Sequence, residues 1–554
     1  MRCLLVCLLC LQGLQSILCA AAREDVDLLQ DLRGALASSL PRKSPPRTRH
    51  VSATDPNEDT WPKGVLIGAG LSAFQAEGAW DEDGKGESSM DWIEHLLGDK
   101  LFPNNTDVAA DHYHRFREDL DLAKKLKFTS HRFSISWSRV LPTGGVDNIN
   151  QKGVQFYKDY IDKVIENGME PMVTMLHFDQ PIAVENATGG WGYPAMVDKY
   201  VEYADFLFET FGDKVKYWNT INEPNMYCNY FGQIMNSIDM GQKGQMDLYP
   251  CLHHIVLAHM KTYHLYRKKY QSKQKGKVGT SVVMWPATPK TTQSEDVMAA
   301  ETFNQMYCGT ILHPLVFGDY PPIVRYLVEK RDAEMGVSEP RLPKFTAEEK
   351  EMLSGGVTDF IALNLYSGCK ASYRHNKTVP ADSAIFPGPV ASDMPFVELS
   401  GIGEFGQVDE SFMHNGLTWV WNTYHVPIII SENGYGDSNQ AGVHDTVRAA
   451  YHSANLRSLV RTMKEYDVEV LAYYAWSLLD LFEFRSGYFL RPFGLIHVDY
   501  QTGSLNRTLK DSAQFFIDLA TTGKIPYVEV SAGSSLTPIG KLLLVVWVAK
   551  WLGL

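Results

Sequence analysis

Eight short apolar runs, stretches of helical periodicity between most of them, and polar or charged residues just past the runs' ends predict an α/β chain folded as a closed (β/α)8 TIM barrel. The runs occupy residues 64–68, 130–137, 171–176, 215–220, 277–283, 360–365, 427–430 and 468–476. The seventh, Pro427-Ile428-Ile429-Ile430, has no polar alternation and reads as a strand buried on both faces. Residues 156–168 and 196–211 repeat apolar positions at helical spacing. A doubly wound parallel sheet is the alternative. In a closed barrel the C-terminal strand ends build the site, so chemistry is expected just after each run.

Taken in chain order, the runs deliver the groups that a polar pocket needs. Gln75 follows the first run, Arg132 lies inside the second, His177 follows the third and Asn222-Glu223 the fourth. Asn364 and Tyr366 attend the sixth, Glu432 the seventh, and Trp476 and Glu483 the eighth. Any one of these has a structural explanation, since a histidine after a strand is usually a satisfied core residue. Two carboxylates among hydroxyl-binding amides and an aromatic face are harder to explain that way. Glycosidic bond cleavage needs that set: one carboxyl protonates the leaving oxygen while the other attacks, or activates water at, the anomeric carbon.

Competing chemistries find less support. His112, His114, His253 and His254 come without the spaced partners of a zinc site and read as helix or loop residues, so no metal or other cofactor is expected. There is no nucleophile elbow, phosphate-binding loop or dinucleotide fingerprint. A net charge of −13 and the lack of a basic stripe argue against nucleic acid as a partner.

The ends of the chain are different in kind. Residues 1–22 carry one positive charge, an apolar stretch and a small-residue exit, the pattern of a secretory signal peptide. Residues 23–60 include a Pro- and Arg-rich tract and read as a disordered leader or pro-segment. The barrel domain is assigned to 61–528. The tail, 529–554, has small residues followed by an apolar end from Leu542, the form of a lipid-anchor signal and the only expected tie to a membrane. Of eight cysteines, four fall in the signal segment. Cys228 and Cys251 bracket a loop and are the candidate disulfide, with Cys308 and Cys369 read as buried thiols. Sequons at Asn104, Asn186, Asn376 and Asn506 fit an extracellular chain.

Several motifs then become recognisable together: Ser72-Ala73-Phe74-Gln75-Ala76-Glu77-Gly78-Ala79, Asp111-His112-Tyr113-His114-Arg115 and Arg132-Phe133-Ser134-Ile135-Ser136-Trp137-Ser138-Arg139. With Thr220-Ile221-Asn222-Glu223-Pro224, Ser431-Glu432-Asn433-Gly434 and Trp476-Ser477-Leu478-Leu479-Asp480, the chain resembles the family 1 glycoside hydrolases, retaining β-glycosidases, from about residue 61 to 528. The resemblance implies Glu223 as acid/base and Glu432 as nucleophile. It implies that Gln75, His177, Asn222, Tyr366, Trp476, Glu483 and the position of Phe484 line the sugar site. Arg132, Asn364 and Tyr366 would contact the nucleophile.

Departures from the family pattern cluster around the sugar. Phe484 and Phe178 stand where tryptophan is usual, so indole N–H donors are lost, each worth about 0.5–1.5 kcal/mol net. The family's Arg-Phe-Gly is split as Arg491-Pro492-Phe493-Gly494, and residues 226–246 lack the usual Gly and Pro pattern. The expected activity is β-glucosidase-like hydrolysis of a small glycoside by double displacement. A myrosinase-type thioglucosidase, a transglycosylase and a klotho-like non-catalytic binding protein are the alternatives.

Overall fold

The structure is a computed structural model that describes residues 30–35, 59–98, 103–232, 247–375, 392–401, 408–437, 441–484 and 486–529. Every one of the eight apolar runs contributes a strand. They are β1 (Leu66–Leu71), β2 (Ser130–Ser134), β3 (Glu170–Leu176), β4 (Tyr217–Ile221), β5 (Lys277–Met284), β6 (Phe360–Leu365), β7 (Ile428–Asn433) and β8 (Val470–Trp476). Each pairs in parallel with its sequence neighbours, and β8 pairs with β1 to close the barrel. β1 starts two residues later than its run because Gly64 adopts φ +86° and turns the chain first. β7 continues two residues past Ser431, so Glu432 is part of the strand rather than of a following turn.

Alternation along the strands separates two cores. Met172, Phe360, Ala362, Ile429, Ala472 and Tyr474 point inward and fill the barrel floor. Their neighbours, such as Val173, Ile361, Leu363, Ile428 and Ile430, belong to the larger cluster that also includes the buried positions of the surrounding helices. Two of those helices run Gln151–Glu166 and Ala195–Phe211, the first starting five residues before its apolar period. Asn150 accounts for that early start: its side chain caps the helix by accepting from the Lys152 N–H. At β1, a Cβ on Gly68 would lie 2.0 Å from the Ser130 carbonyl oxygen, so only glycine allows β1 and β2 to approach this closely.

The barrel ends are tied together at residues 59–60 and 524–525, through a Thr60–Lys524 bridge and a bond from the Ile525 N–H to the Asp59 carbonyl at 2.9 Å. Residues 30–35, expected to lack structure, form a helical turn whose Leu32 is fully buried. Residues 1–29 and 530–554, with the signal peptide and nearly all of the tail, lie outside the described residues, as does Asn376. No helix among the described residues is long and apolar enough to cross a membrane.

Cys228, just after β4, is bonded to Cys251 across 23 residues of sequence. Cys308 and Cys369 are free and buried. A cross-link over a loop of that length limits the unfolded chain by roughly 3 kcal/mol. Replacing both partners with serine is expected to lower the urea midpoint by an equivalent amount, and wild-type protein in reductant should show the same shift in circular dichroism.

Candidate active site

Glu432 and Arg132 form the floor of the polar pocket. Arg132 is 1% exposed, and its Nη1 donates to Glu432 Oε1 at 2.6 Å. Its other donors reach the Ser431 carbonyl (3.1 Å), Asn222 Oδ1 (2.7 Å) and Thr174 Oγ1 (3.2 Å). Tyr366 supplies the second bond to the carboxylate, its hydroxyl donating to Glu432 Oε2 at 2.6 Å. Each oxygen of Glu432 therefore has a donor, which a buried carboxylate requires. The register of β7 slips against both β6 and β8 around Glu432, and such a bulge re-aims the side chain it carries.

Glu223 reaches the same rim from the end of β4. Its backbone is left-handed, φ +44°, immediately before Pro224, and its N–H donates to the Ser281 carbonyl at 3.0 Å. A non-glycine residue there costs on the order of 1–3 kcal/mol, which the surrounding structure must offset. Asn364 Nδ2 donates to Glu223 Oε1 at 2.7 Å and to Asn222 Oδ1 at 3.2 Å. Asn364, expected beside the nucleophile, thus bonds the other carboxyl; its Oδ1 accepts from Ser431 Oγ at 2.6 Å. Burial, and then the negative charge of Glu432, push the Glu223 carboxyl up to about 8.

The remaining predicted residues surround this pair. His177, 3% exposed, lies flat against Trp476, with ring centroids 5.8 Å apart and planes at 8°. Asn222 Nδ2 donates to His177 Nε2 at 3.3 Å, and burial and Arg132 hold the imidazole well below its usual range. The neutral ring then carries its hydrogen on Nδ1, which has no partner among the described residues. Glu483 accepts from Trp476 Nε1 at 3.0 Å, and burial pushes its carboxyl up well above the ordinary range. Gln75 is already engaged at both ends: Nε2 donates to the Phe482 carbonyl and Oε1 accepts from Ser72 Oγ, both at 2.6 Å. It keeps one hydrogen and one lone pair for a ligand.

The two phenylalanines that replace tryptophan belong to one aromatic wall. Phe484 lies parallel to Phe74 (6.0 Å, 9°) and edge-on to Phe178 and Phe231. Phe178 lies parallel to Tyr227 (5.9 Å, 12°).

A polar layer beneath the carboxyls escaped the sequence reading: Thr174, Asn219, Ser281 and Ser431. Asn219 Nδ2 donates to Ser281 Oγ at 2.9 Å, and Ser281 Oγ donates to Asn222 Oδ1 at 3.0 Å. The signal was there, because Thr174 and Asn364 each interrupt an otherwise apolar run and Asn219 is a polar residue in mid-strand. The four histidines considered for metal serve other ends. His112 bonds Asp119 and Tyr160, His114 bonds Asp111, His253 bonds Tyr320 and His254 the Trp191 carbonyl. Among the described residues no group of three His, Cys, Asp or Glu side chains is arranged to hold a metal ion.

Comparison with known proteins places this geometry. The family model described as Glycosyl hydrolase family 1 matches residues 57–525. Beta-glucosidase 42 of Arabidopsis thaliana is 37% identical over 478 residues, covering 83% of this chain and 94% of the relative. Myrosinase 1 of Brevicoryne brassicae is 34% identical over 469 residues, covering 84% of this chain and 99% of the relative. A solved rice Os3BGlu6 β-glucosidase, a glutamate-to-glutamine mutant in covalent complex with glucose, superposes with TM-score 0.73 at 31% identity, covering 83% of this chain and 98% of that one. The chain belongs to glycosyl hydrolase family 1.

Proposed function

We propose that this retaining β-glycosidase cleaves small β-glucosides by double displacement, with Glu432 as nucleophile and Glu223 as acid/base. The observation that carries the assignment is the hydrogen-bonded chain from Glu223 through Asn364, Asn222 and Arg132 to Glu432, which ties both carboxyls to one rim. Glu223 starts protonated and gives its proton to the leaving oxygen as Glu432 attacks the anomeric carbon. Once Glu432 becomes an ester its charge is gone, and with it the repulsion that raised Glu223. Glu223 then ionises more readily and takes the proton of the incoming water. In this reading His177, Asn222, Gln75 and Glu483 bind sugar hydroxyls, and Trp476 underlies the ring.

The wall of Phe178, Phe231, Phe484 and Tyr227 supports an apolar aglycone. A thioglucosidase is the second reading, favoured by the similarity to a myrosinase. Release to the cell exterior is the corresponding proposal for localisation. It is supported by the Cys228–Cys251 bond, by exposed sequons at Asn186 and Asn506, and by Asn104, which is half-buried. Attachment through a C-terminal lipid anchor is proposed on sequence alone.

Replacing Glu432 with glycine is expected to lower turnover of an aryl β-glucoside on the order of 10⁴-fold or more. Comparable wild-type and variant rates would overturn the assignment. The ratio of kcat/KM on a thioglucoside to that on its oxygen analogue decides between the two substrate readings.

The pH profile offers a separate check on Glu223. The acid must be protonated at the outset, so kcat/KM should hold below its pKa and fall tenfold per unit above about 8. Asn364 favours the ionised form by donating to it, so Asn364→Ala should move that basic limb to higher pH. A limb that moves down, or stays, contradicts the assigned bond.

A further inference from the structure

We infer that Asp179 is a positioning residue for the sugar pocket: its buried carboxylate closes a left-handed turn at Phe178 and so fixes His177 in place. The inference rests on the functional reading above, in which His177 binds the sugar. Directly after β3 the chain runs His177, Phe178, Asp179, and Phe178 has φ +74°. A bulky side chain avoids that region, and the surroundings have to hold it there. Three bonds span the turn. Asp179 Oδ1 accepts from the His177 N–H at 3.4 Å, Ser89 Oγ donates to the Phe178 carbonyl at 3.3 Å, and the Ser89 N–H donates to the Gln180 carbonyl at 2.7 Å. The reversal lets consecutive rings serve different surfaces: His177 lies on Trp476, while Phe178 packs on Tyr227 and Phe231.

Asp179 is an unusual choice for a merely structural position. It is 1% exposed, its carboxylate also takes a hydrogen bond from its own backbone N–H, and among the described residues no Lys, Arg or His side chain forms an ion pair with it. A carboxylate in the interior without a direct counter-ion costs several kcal/mol. It lines a small cavity together with Glu77, Lys85, Asp91 and Arg139. The cations there are bound to others, Lys85 to Asp91 (2.5 Å) and Arg139 to Glu77 (2.8 Å). Burial, with the like charges of Glu77 and Asp91 working against Lys85, pushes the Asp179 carboxyl up to about 7. Below that pH it is protonated and a weaker acceptor, so the turn loosens and His177 with it.

The test is steady-state kinetics on an aryl β-glucoside from pH 5.5 to 8, using wild type, Asp179→Asn, Asp179→Ala, Phe178→Gly and the Phe178→Gly/Asp179→Ala double variant. Asp179→Ala should raise KM about tenfold, the worth of one hydrogen bond, with kcat changed less than about twofold. Asp179→Asn offers an uncharged acceptor at every pH, so its KM should sit near the raised wild-type value found below pH 7 and stay flat from pH 5.5 to 8. In the Phe178→Gly background, where left-handed backbone is allowed, removing Asp179 should raise KM by a much smaller factor. A wild-type KM in Asp179→Ala, the same fold-rise with glycine at 178, or an unchanged pH dependence in Asp179→Asn would each overturn the inference. If Asp179→Ala does not fold, the pH dependence in Asp179→Asn decides. Absence of turnover by wild type would overturn the functional reading as well, whereas these KM outcomes bear on Asp179 alone.

Discussion

A guanidinium sealed inside a barrel needs anionic or dipolar partners on every side, and the position of Arg132 organises the pocket around that need. It reaches Glu432, Asn222, Thr174 and the Ser431 carbonyl, groups from three different strands or their ends. Removing its carboxylate partner would leave an uncompensated charge in the interior, typically a loss of 3–5 kcal/mol. The same bonds that satisfy Arg132 orient Asn222, and Asn222 in turn meets His177 and Asn364. Stability and pocket geometry therefore draw on one network.

Regular parallel strands would present their side chains in a fixed alternation, and the site departs from it at three strand ends. β7 is bulged at Glu432, and Glu223 and Phe178 both have left-handed backbone after β4 and β3. Each departure turns a side chain away from where the pleat would put it. All three lie at the C-terminal rim, above the packed floor of Met172, Phe360, Ile429 and Tyr474. The rigid floor is what can hold such local strain, since its side chains are fully buried and tightly constrained.

Much of this was legible in the sequence because the barrel is an alternating object. Short, mostly apolar runs mark all eight strands, and the groups within them or past their ends mark most of the pocket. What pattern could not give was direction. The resemblance implies Asn364 beside Glu432, but its amide N–H turns toward Glu223, an orientation fixed by Ser431 Oγ donating to the amide oxygen on the other side. Gln75 read as an open sugar ligand, whereas Ser72 and the Phe482 carbonyl take both ends of its amide, one of them from more than 400 residues away. The polar layer of Asn219, Ser281 and Thr174 leaves little trace in the sequence, because a single polar residue in a strand is ordinarily unremarkable. Residues 30–35 show no long apolar period, yet one leucine, Leu32, is buried and anchors a turn that is otherwise mostly exposed.

The account stands most directly on which carboxyl becomes covalently bonded to the sugar. Incubation with an activated 2-deoxy-2-fluoro-β-glucoside slows the second displacement more than it blocks the first, so the ester accumulates. Peptide mass spectrometry of the trapped protein should then find one glycosyl group, on the peptide bearing Ser431-Glu432-Asn433. A label on Glu223, or complete turnover of the same reagent with no adduct on Glu432 at any time, would contradict the central claim.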